Sequence, residues 1–352
     1  MSPVPNPSPD SQEQSPFVSV VLPIRNEGRF IRRCLESVVA QDYPADRMEI
    51  IVADGMSTDD TREIALSFKS VFPALRVIDN PGRIVPTGLN AAVAAARGEI
   101  IVRVDGHCEI APDYVSRSVG HLQTGVDAVG GPLDTIGETV IARAIAIGMS
   151  SRFGVGNSAF RTSPGRTIYA DTVAFPAYPR AVLARVGPFD EELVRNQDDE
   201  YNYRLRKQGG RVLLAADVRA KYFSRSSLRS LWRQYFQYGY WKVRVLQKHP
   251  RQMCTRQFIP ATFVSALALA LAAALLSLVP AVVPVAIAAA YLLANLFAAV
   301  RASRADRRTF AILPLVFAIL HVSYGVGFLK GLVAFRRRWF VRPATLAPSG
   351  AN

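Results

Sequence analysis

The chain has 352 residues, half of them hydrophobic, and a formal net charge of +14. That length allows one sizeable domain and an appendage. The positive charge does not point to nucleic acid, because much of it gathers beside long apolar runs, and three cysteines far apart, with no CxxC spacing, exclude a disulfide framework and a zinc site.

Residues 1–16 are polar and rich in Pro and Ser. They lack a basic segment followed by an apolar one, so they read as a disordered tail rather than a signal peptide, and the next domain is expected in the cytoplasm. Phe17 to Leu22 predicts a strand ended by Pro23, and Ile31 to Ala40 a helix with one apolar face. Met48 to Ala53 predicts a second strand. In the turn Asp54 to Asp60, Ser57 and Asp60 have capping-box spacing before a helix over Thr61 to Phe68. A strand over Leu75 to Ile78, an Ala-rich helix over Leu89 to Ala96 and a strand over Glu99 to Val104 follow. Alternation of this kind predicts a doubly wound, mainly parallel α/β sheet, Rossmann-like, with ligands at the carboxyl ends of the strands.

Ala128 to Phe223 is less regular, but a polar helix is expected over Gln197 to Lys207. Ser227 to Gln247 sets Leu228, Leu231, Trp232, Tyr235, Tyr238 and Lys242 at helical spacing with Arg and Lys around them. That pattern suits a basic interfacial helix within residues 224–257, or a helix packed on the core. Three apolar runs close the chain: Phe258 to Val279, Val282 to Val300 and Phe310 to Val333. A bilayer core takes about 20 apolar residues as a helix, so residues 258–334 predict two or three membrane helices ahead of a basic tail, 335–352. The third run carries Pro314, His321, Gly325, Gly327 and Lys330, which leaves crossing, re-entry and an interfacial position open. The sheet domain, 17–223, is expected to fold without these runs.

Three carboxylate sites stand out. Asp54, just after a strand, suits hydrogen bonds from a base or a ribose. Asp105 ends the fourth strand, and with His107 two residues on it suits a divalent cation held against a diphosphate. Gln197-Asp198-Asp199-Glu200 opens a helix. Acids there complement the helix dipole, and one of them can serve as a general base.

In order, SVVLPIRNE, VADGMSTDDT, GLNAAVAAARGEIIVRVDGH, GPFDEELVRNQDDEYNYRLRKQGG and RQYFQYGYWK resemble family 2 glycosyltransferases of the GT-A fold. The likeness is closest to the membrane-attached enzymes of succinoglycan-type exopolysaccharide assembly. The resemblance implies an inverting transfer of one sugar from a nucleotide-sugar donor, UDP-hexose by expectation, to a lipid-linked saccharide. It implies that Pro23, Asn26, Glu27 and Asp54 cradle the nucleoside, with Arg83 and Asn90 lining the donor pocket. Asp105 stands as first acid of the DxD motif, with Mn²⁺ or Mg²⁺ as cofactor, and Asp198 as base. Gln197, Gln234 and Tyr238 fall on the acceptor side. His107 replaces the usual second acid of DxD, and Gln197 replaces the Glu of the acid pair. The QxxRW signature of processive synthases is not present as written, which favours addition of one sugar. A polyprenyl-phosphate acceptor and a catalytically silent membrane scaffold are the alternatives. The positive-inside pattern of the flanking arginines implies an inner-membrane protein with a cytoplasmic catalytic domain.

Overall fold

The computed structural model describes residues 15–163 and 165–339. Most of both expected tails, 1–16 and 335–352, lies outside the described residues. The first half alternates as β1 (Val18–Ile24), α1 (Ile31–Val39), β2 (Met48–Asp54), α2 (Thr61–Ser67), β3 (Leu75–Asp79), α3 (Val85–Ala95) and β4 (Ile100–Arg103). Then come β5 (Cys108–Ile110), α4 (Tyr114–Gln123), β6 (Ala128–Gly131), β7 (Leu133–Ile136), α5 (Val140–Ser150), α6 (Arg152–Val155) and α7 (Ala159–Thr162). The domain continues with β8 (Ile168–Tyr169), β9 (Ala174–Pro179), α8 (Arg180–Val186), α9 (Gln197–Lys207), β10 (Val212–Leu214) and β11 (Ala220–Phe223). Four long helices close the chain: α10 (Leu228–Lys248), α11 (Thr255–Leu275), α12 (Val282–Ala302) and α13 (Leu313–Ala334).

The main sheet has the order β3-β2-β1-β4-β9-β6-β10-β8. Its first four strands are parallel, while β9 runs antiparallel between β4 and β6. Both faces of β1 and β2 are buried: Val20, Leu22, Ile50 and Val52 pack on one side, Val21, Ile51 and Ala53 on the other. Hence these strands read as continuous apolar runs rather than alternating ones. Strand β1 passes through Pro23 instead of stopping there. Its pairing with β4 ends at Val21, so the missing N–H of Pro23 leaves no ladder bond unmade. Helix α3 begins at Val85, earlier than expected, because Pro86 sits in the first turn, where an amide has no partner to lose.

The capping box expected from Ser57 and Asp60 does not form. Asp60 makes no side-chain cap, and Thr61 N donates to Asp59 Oδ1 at 3.1 Å. Ser57 instead ties two loops together: its N donates to Asp54 Oδ1 at 3.1 Å, and its Oγ accepts from Asn26 N at 2.9 Å.

Among the described residues three helices, α11, α12 and α13, are long and apolar enough to cross a membrane. Helix α13 is an unbroken 22-residue helix, and the glycines of its sequence have a packing role. A Cβ on Gly327 would lie 2.1 Å from Phe236 O of α10, and one on Gly239 of α10 would lie 2.0 Å from Tyr324 O of α13. Only glycine allows the two backbones to come so close. Helix α10 therefore turns Leu231, Tyr235, Lys242 and Val243 into the protein. Val316, Phe317 and Leu320 of α13 continue the core of the sheet domain without a break. The apolar face of α10 thus meets protein along α13.

Candidate active site

The carboxyl ends of β1 and β4 open into a cavity of about 1020 Å³ bounded on its far side by α9, α10 and the three apolar helices. Of the residues singled out in the sequence, Pro23, Asn26, Glu27, Arg83, Asp105 and His107 line its sheet side. Gln197, Asp198, Gln234 and Tyr238 line the opposite wall. Two do not line it. Asp54, 1% exposed, sits behind the β1 loop with Arg62 Nη1 at 3.1 Å. Asn90 clamps a loop onto α3: its Nδ2 donates to Phe189 O at 2.9 Å and Glu191 Oε1 at 2.8 Å, and its Oδ1 accepts from Phe189 N at 2.9 Å.

Four non-glycine residues around this cavity, Asn26, Arg83, Phe175 and Asn196, hold left-handed φ of 54°, 59°, 46° and 65°. Each such conformation costs on the order of 1–3 kcal/mol, and such strain collects at functional sites. Asn26 is held there by its neighbours, its Oδ1 accepting from Thr58 N at 2.9 Å.

Asp105 and Asp198 lie far apart in sequence, and Arg103 joins their environments. The Arg103 side chain, 7% exposed, makes a two-pronged bond to Asp105, 2.9 Å from Nε to Oδ1 and 3.2 Å from Nη2 to Oδ2. Burial presses the guanidinium's pKa down, but the fields of Asp105 and Asp198 outweigh it and hold the pKa above its ordinary value. Two residues beyond Asp105, His107 Nδ1 meets Glu27 Oε1 at 3.0 Å.

The three acids opening α9 have three different environments. Glu200 is paired with Arg204 at 2.7 Å and His249 at 2.8 Å. Asp199 is paired with Lys242 of α10, itself 4% exposed. Burial pushes both carboxyls up, yet Lys242 beside Asp199, and the hydrogen bonds from His249 and Arg204 to Glu200, outweigh it and hold both below the usual carboxylate range. Asp198 lines the cavity and forms no ion pair among the described residues; its Oδ1 accepts from Asp199 N at 2.9 Å. One carboxylate of the three is therefore free for chemistry.

Sequence reasoning missed Arg103, Arg161 and Arg225, all at the cavity. The signal for Arg103 was present: a charged residue between Val102 and Val104 in a buried strand needs a partner. Arg161, its guanidinium 5.4 Å from the centre of the Tyr222 ring, and Arg225 sit in irregular stretches that carry no periodic signal.

Residues 19–187 match the profile described as glycosyl transferase family 2. The succinoglycan biosynthesis protein ExoA of Rhizobium meliloti (strain 1021) is 33% identical over 330 residues, 91% of this chain and 96% of that one. A dolichyl N-acetyl-α-D-glucosaminyl phosphate 3-β-D-2,3-diacetamido-2,3-dideoxy-β-D-glucuronosyltransferase of Methanococcus voltae is 26% identical over 241 residues, 66% of this chain and 74% of that one. Among solved structures, a mannosyltransferase of Pyrobaculum calidifontis in complex with GDP-Man and Mn²⁺ superposes with a TM-score of 0.62 at 22% identity, over 92% of this chain and 89% of that one. With its doubly wound sheet of GT-A type, its cavity at the strand ends and these relatives, the chain belongs to the family 2 glycosyltransferases.

Proposed function

We propose that the enzyme transfers one hexose, with inversion, from a UDP-sugar to a lipid-linked saccharide during assembly of an exopolysaccharide or other surface glycan. The observation that carries this reading is the unpaired Asp198 carboxylate in the same cavity as Asp105, beside two neighbouring acids that are both neutralised. In an inverting transfer one carboxylate takes the proton of the attacking hydroxyl, which then displaces the nucleotide from the opposite face of the anomeric carbon. Asp198 is that base. Arg83, Pro23 at the end of β1 and Asn26 in the loop after it hold the nucleoside end, with Asp54 at the end of β2 behind that loop, and Asn90 holds the loop beyond α8 in place.

A divalent cation fits the chemistry of Asp105 and His107. Asp105 has two oxygens with more lone pairs than Arg103 uses, and among the described residues no described residue hydrogen-bonds His107 Nε2. When bound, the cation neutralises charge on the departing diphosphate. Imidazole in the donor set favours Mn²⁺ over Mg²⁺.

The acceptor reading rests on where the cavity leads. Its wall continues onto Ile259 and Phe263 of α11, Tyr291 of α12 and Leu320 of α13. An acceptor bound there lies against the apolar helices with its sugar toward Asp198. Gln234 donates to Tyr238 Oη at 3.0 Å, and its buried Oε1 has no partner among the described residues, so it is an acceptor for a sugar hydroxyl. The Methanococcus voltae relative is named for a sugar carried on dolichyl phosphate, which favours a lipid-carried sugar over a bare polyprenyl phosphate. Arg229 and Arg233 before α11, with Arg301 to Arg308 after α12, support a cytoplasmic catalytic domain at the inner membrane.

The test is release of UDP from a panel of UDP-hexoses by the purified full-length protein with Mn²⁺. Turnover should need the metal, rise with a lipid-linked saccharide, and vanish in Asp105→Ala. Turnover on polyprenyl phosphate alone would replace the acceptor assignment, and full activity of Asp105→Ala would remove the metal assignment.

A further inference from the structure

Glu27 and His107 lie 80 residues apart in the chain, yet the first loop after β1 and the loop after β4 bring them together. Glu27 Oε1 stands 3.0 Å from His107 Nδ1. A carboxylate that only accepts hydrogen bonds selects the tautomer with the proton on Nδ1, and in the neutral ring of that tautomer the lone pair sits on Nε2. The approach depends on Gly106 between Asp105 and His107. A Cβ there would lie 2.9 Å from Ile24 Cγ2 and 3.1 Å from Glu27 Cγ, so a side chain would displace Ile24 and crowd Glu27 by a few tenths of an ångström. The edge of Tyr222 closes on the imidazole, with ring centroids 5.1 Å apart and planes at 70°. The ring is thus fixed from two sides.

The rest of Glu27 is occupied differently. Its backbone N donates to Thr61 Oγ1 at 2.7 Å, and its carbonyl accepts from Phe30 and Ile31 at the start of α1, both at 2.8 Å. Those bonds survive any change of side chain. Among the described residues the carboxylate has His107 as its hydrogen-bond partner, and it does not join Asp105 and His107 in a three-residue metal cluster. A ligating imidazole held by a carboxylate through its other nitrogen is pre-oriented and more basic, which strengthens its bond to a metal.

We infer that Glu27 is a positioning residue for the metal side of the donor site: it holds His107 in the tautomer and orientation that present Nε2 to a divalent transition cation. This replaces the nucleoside contact that the sequence assigns to Glu27, and it rests on the Asp105–His107 metal reading above.

The test uses the full-length protein in detergent, with Mn²⁺ and UDP as probes, and reads electron paramagnetic resonance rather than turnover. In the unmodified protein, bound Mn²⁺ should show coupling to a nitrogen nucleus. His107→Asp should bind Mn²⁺ without that coupling. Glu27→Ala should weaken Mn²⁺ binding by about 10–100-fold, the usual effect of losing such a partner. Glu27→Gln can still accept from Nδ1–H, so it should keep the nitrogen coupling and lose only a few-fold in affinity. UDP binding measured in chelator should be the same in all of them. Unchanged Mn²⁺ affinity in Glu27→Ala overturns the inference and leaves the metal reading standing. Loss of metal-free UDP binding in that variant overturns it in favour of a nucleoside contact. An unmodified protein that binds no Mn²⁺ overturns the metal reading itself, and the inference with it.

Discussion

Asp198→Asn keeps the shape of the first turn of α9 and removes its one unpaired carboxylate. Loss of a general base costs about 10²–10⁴-fold in rate, or roughly 3–5 kcal/mol of barrier at 1.36 kcal/mol per tenfold. Turnover should fall by that factor, while affinity for UDP and thermal stability stay unchanged. Asp199→Asn should do the reverse. Its carboxylate faces Lys242, which is 4% exposed, so the substitution strands a buried ammonium. Breaking a buried pair from one side costs about 3–5 kcal/mol. At roughly 2–4 °C per kcal/mol for a domain of this size, Tm should fall by about 6–20 °C. Lys242→Met alone should cost a similar amount, and combining it with Asp199→Asn should restore much of the loss, because no unpaired charge is then left. The assays are turnover with a fixed UDP-hexose, UDP titration and a thermal melt of the four variants. Should Asp199→Asn abolish turnover with its Tm intact, while Asp198→Asn stays active, the base is Asp199 and the reasoning fails.

Other outcomes follow from the same geometry. Glu192 bonds Arg244 at 2.8 Å and Lys248 at 2.8 Å, and the guanidinium of Arg244, ahead of a smaller burial penalty and of Lys248, brings its pKa down to about 2. A depressed folded pKa contributes stability above the ordinary carboxylate range and loses it as pH falls through the folded value. Acid melts between about pH 5 and pH 2 should therefore be shallower in Glu192→Gln than in the unmodified protein; identical melts would remove this pair from the account. Cutting the chain after Gln257 should give an aggregating product rather than a soluble domain. It bares the partners of Val316, Phe317, Leu320 and Phe328, each nine-tenths or more buried and worth about 1.5–3 kcal/mol, a sum comparable to the whole stability of a domain. A monodisperse truncated protein on size exclusion would contradict that. His107→Asp should shift the preferred activating cation from Mn²⁺ toward Mg²⁺, because a hard oxygen replaces imidazole; an unchanged preference would remove His107 from the metal shell.

The parallel half of the sheet was legible because each strand is a short apolar run closed by a polar residue, and each polar residue falls at the same end of the sheet. The acids of α9 were legible as a group, but Asp198 and Asp199 both line the cavity, and which of them is left unpaired depends on Lys242; no local pattern pairs α9 with α10. The packing of α10 was half legible. Its helical period was plain, yet the same amphipathic pattern fits a membrane surface and a protein groove, and only the glycines at 239 and 327 distinguish them. Asn90 carries the family's motif position while its amide is spent on the loop at Phe189. A motif fixes a residue's place along the chain but not the direction of its side chain.

The central claim is inverting transfer with Asp198 as base, and the stereochemistry of the product tests it most directly. The full-length enzyme would be given a UDP-hexose of α configuration, Mn²⁺ and a lipid-linked saccharide, and the new glycosidic bond read by nuclear magnetic resonance. The account predicts a β linkage, formed by the unmodified protein and by Asp199→Asn but about 10²–10⁴-fold more slowly by Asp198→Asn. An α linkage, or a β linkage formed at full rate without the Asp198 carboxylate, would contradict it.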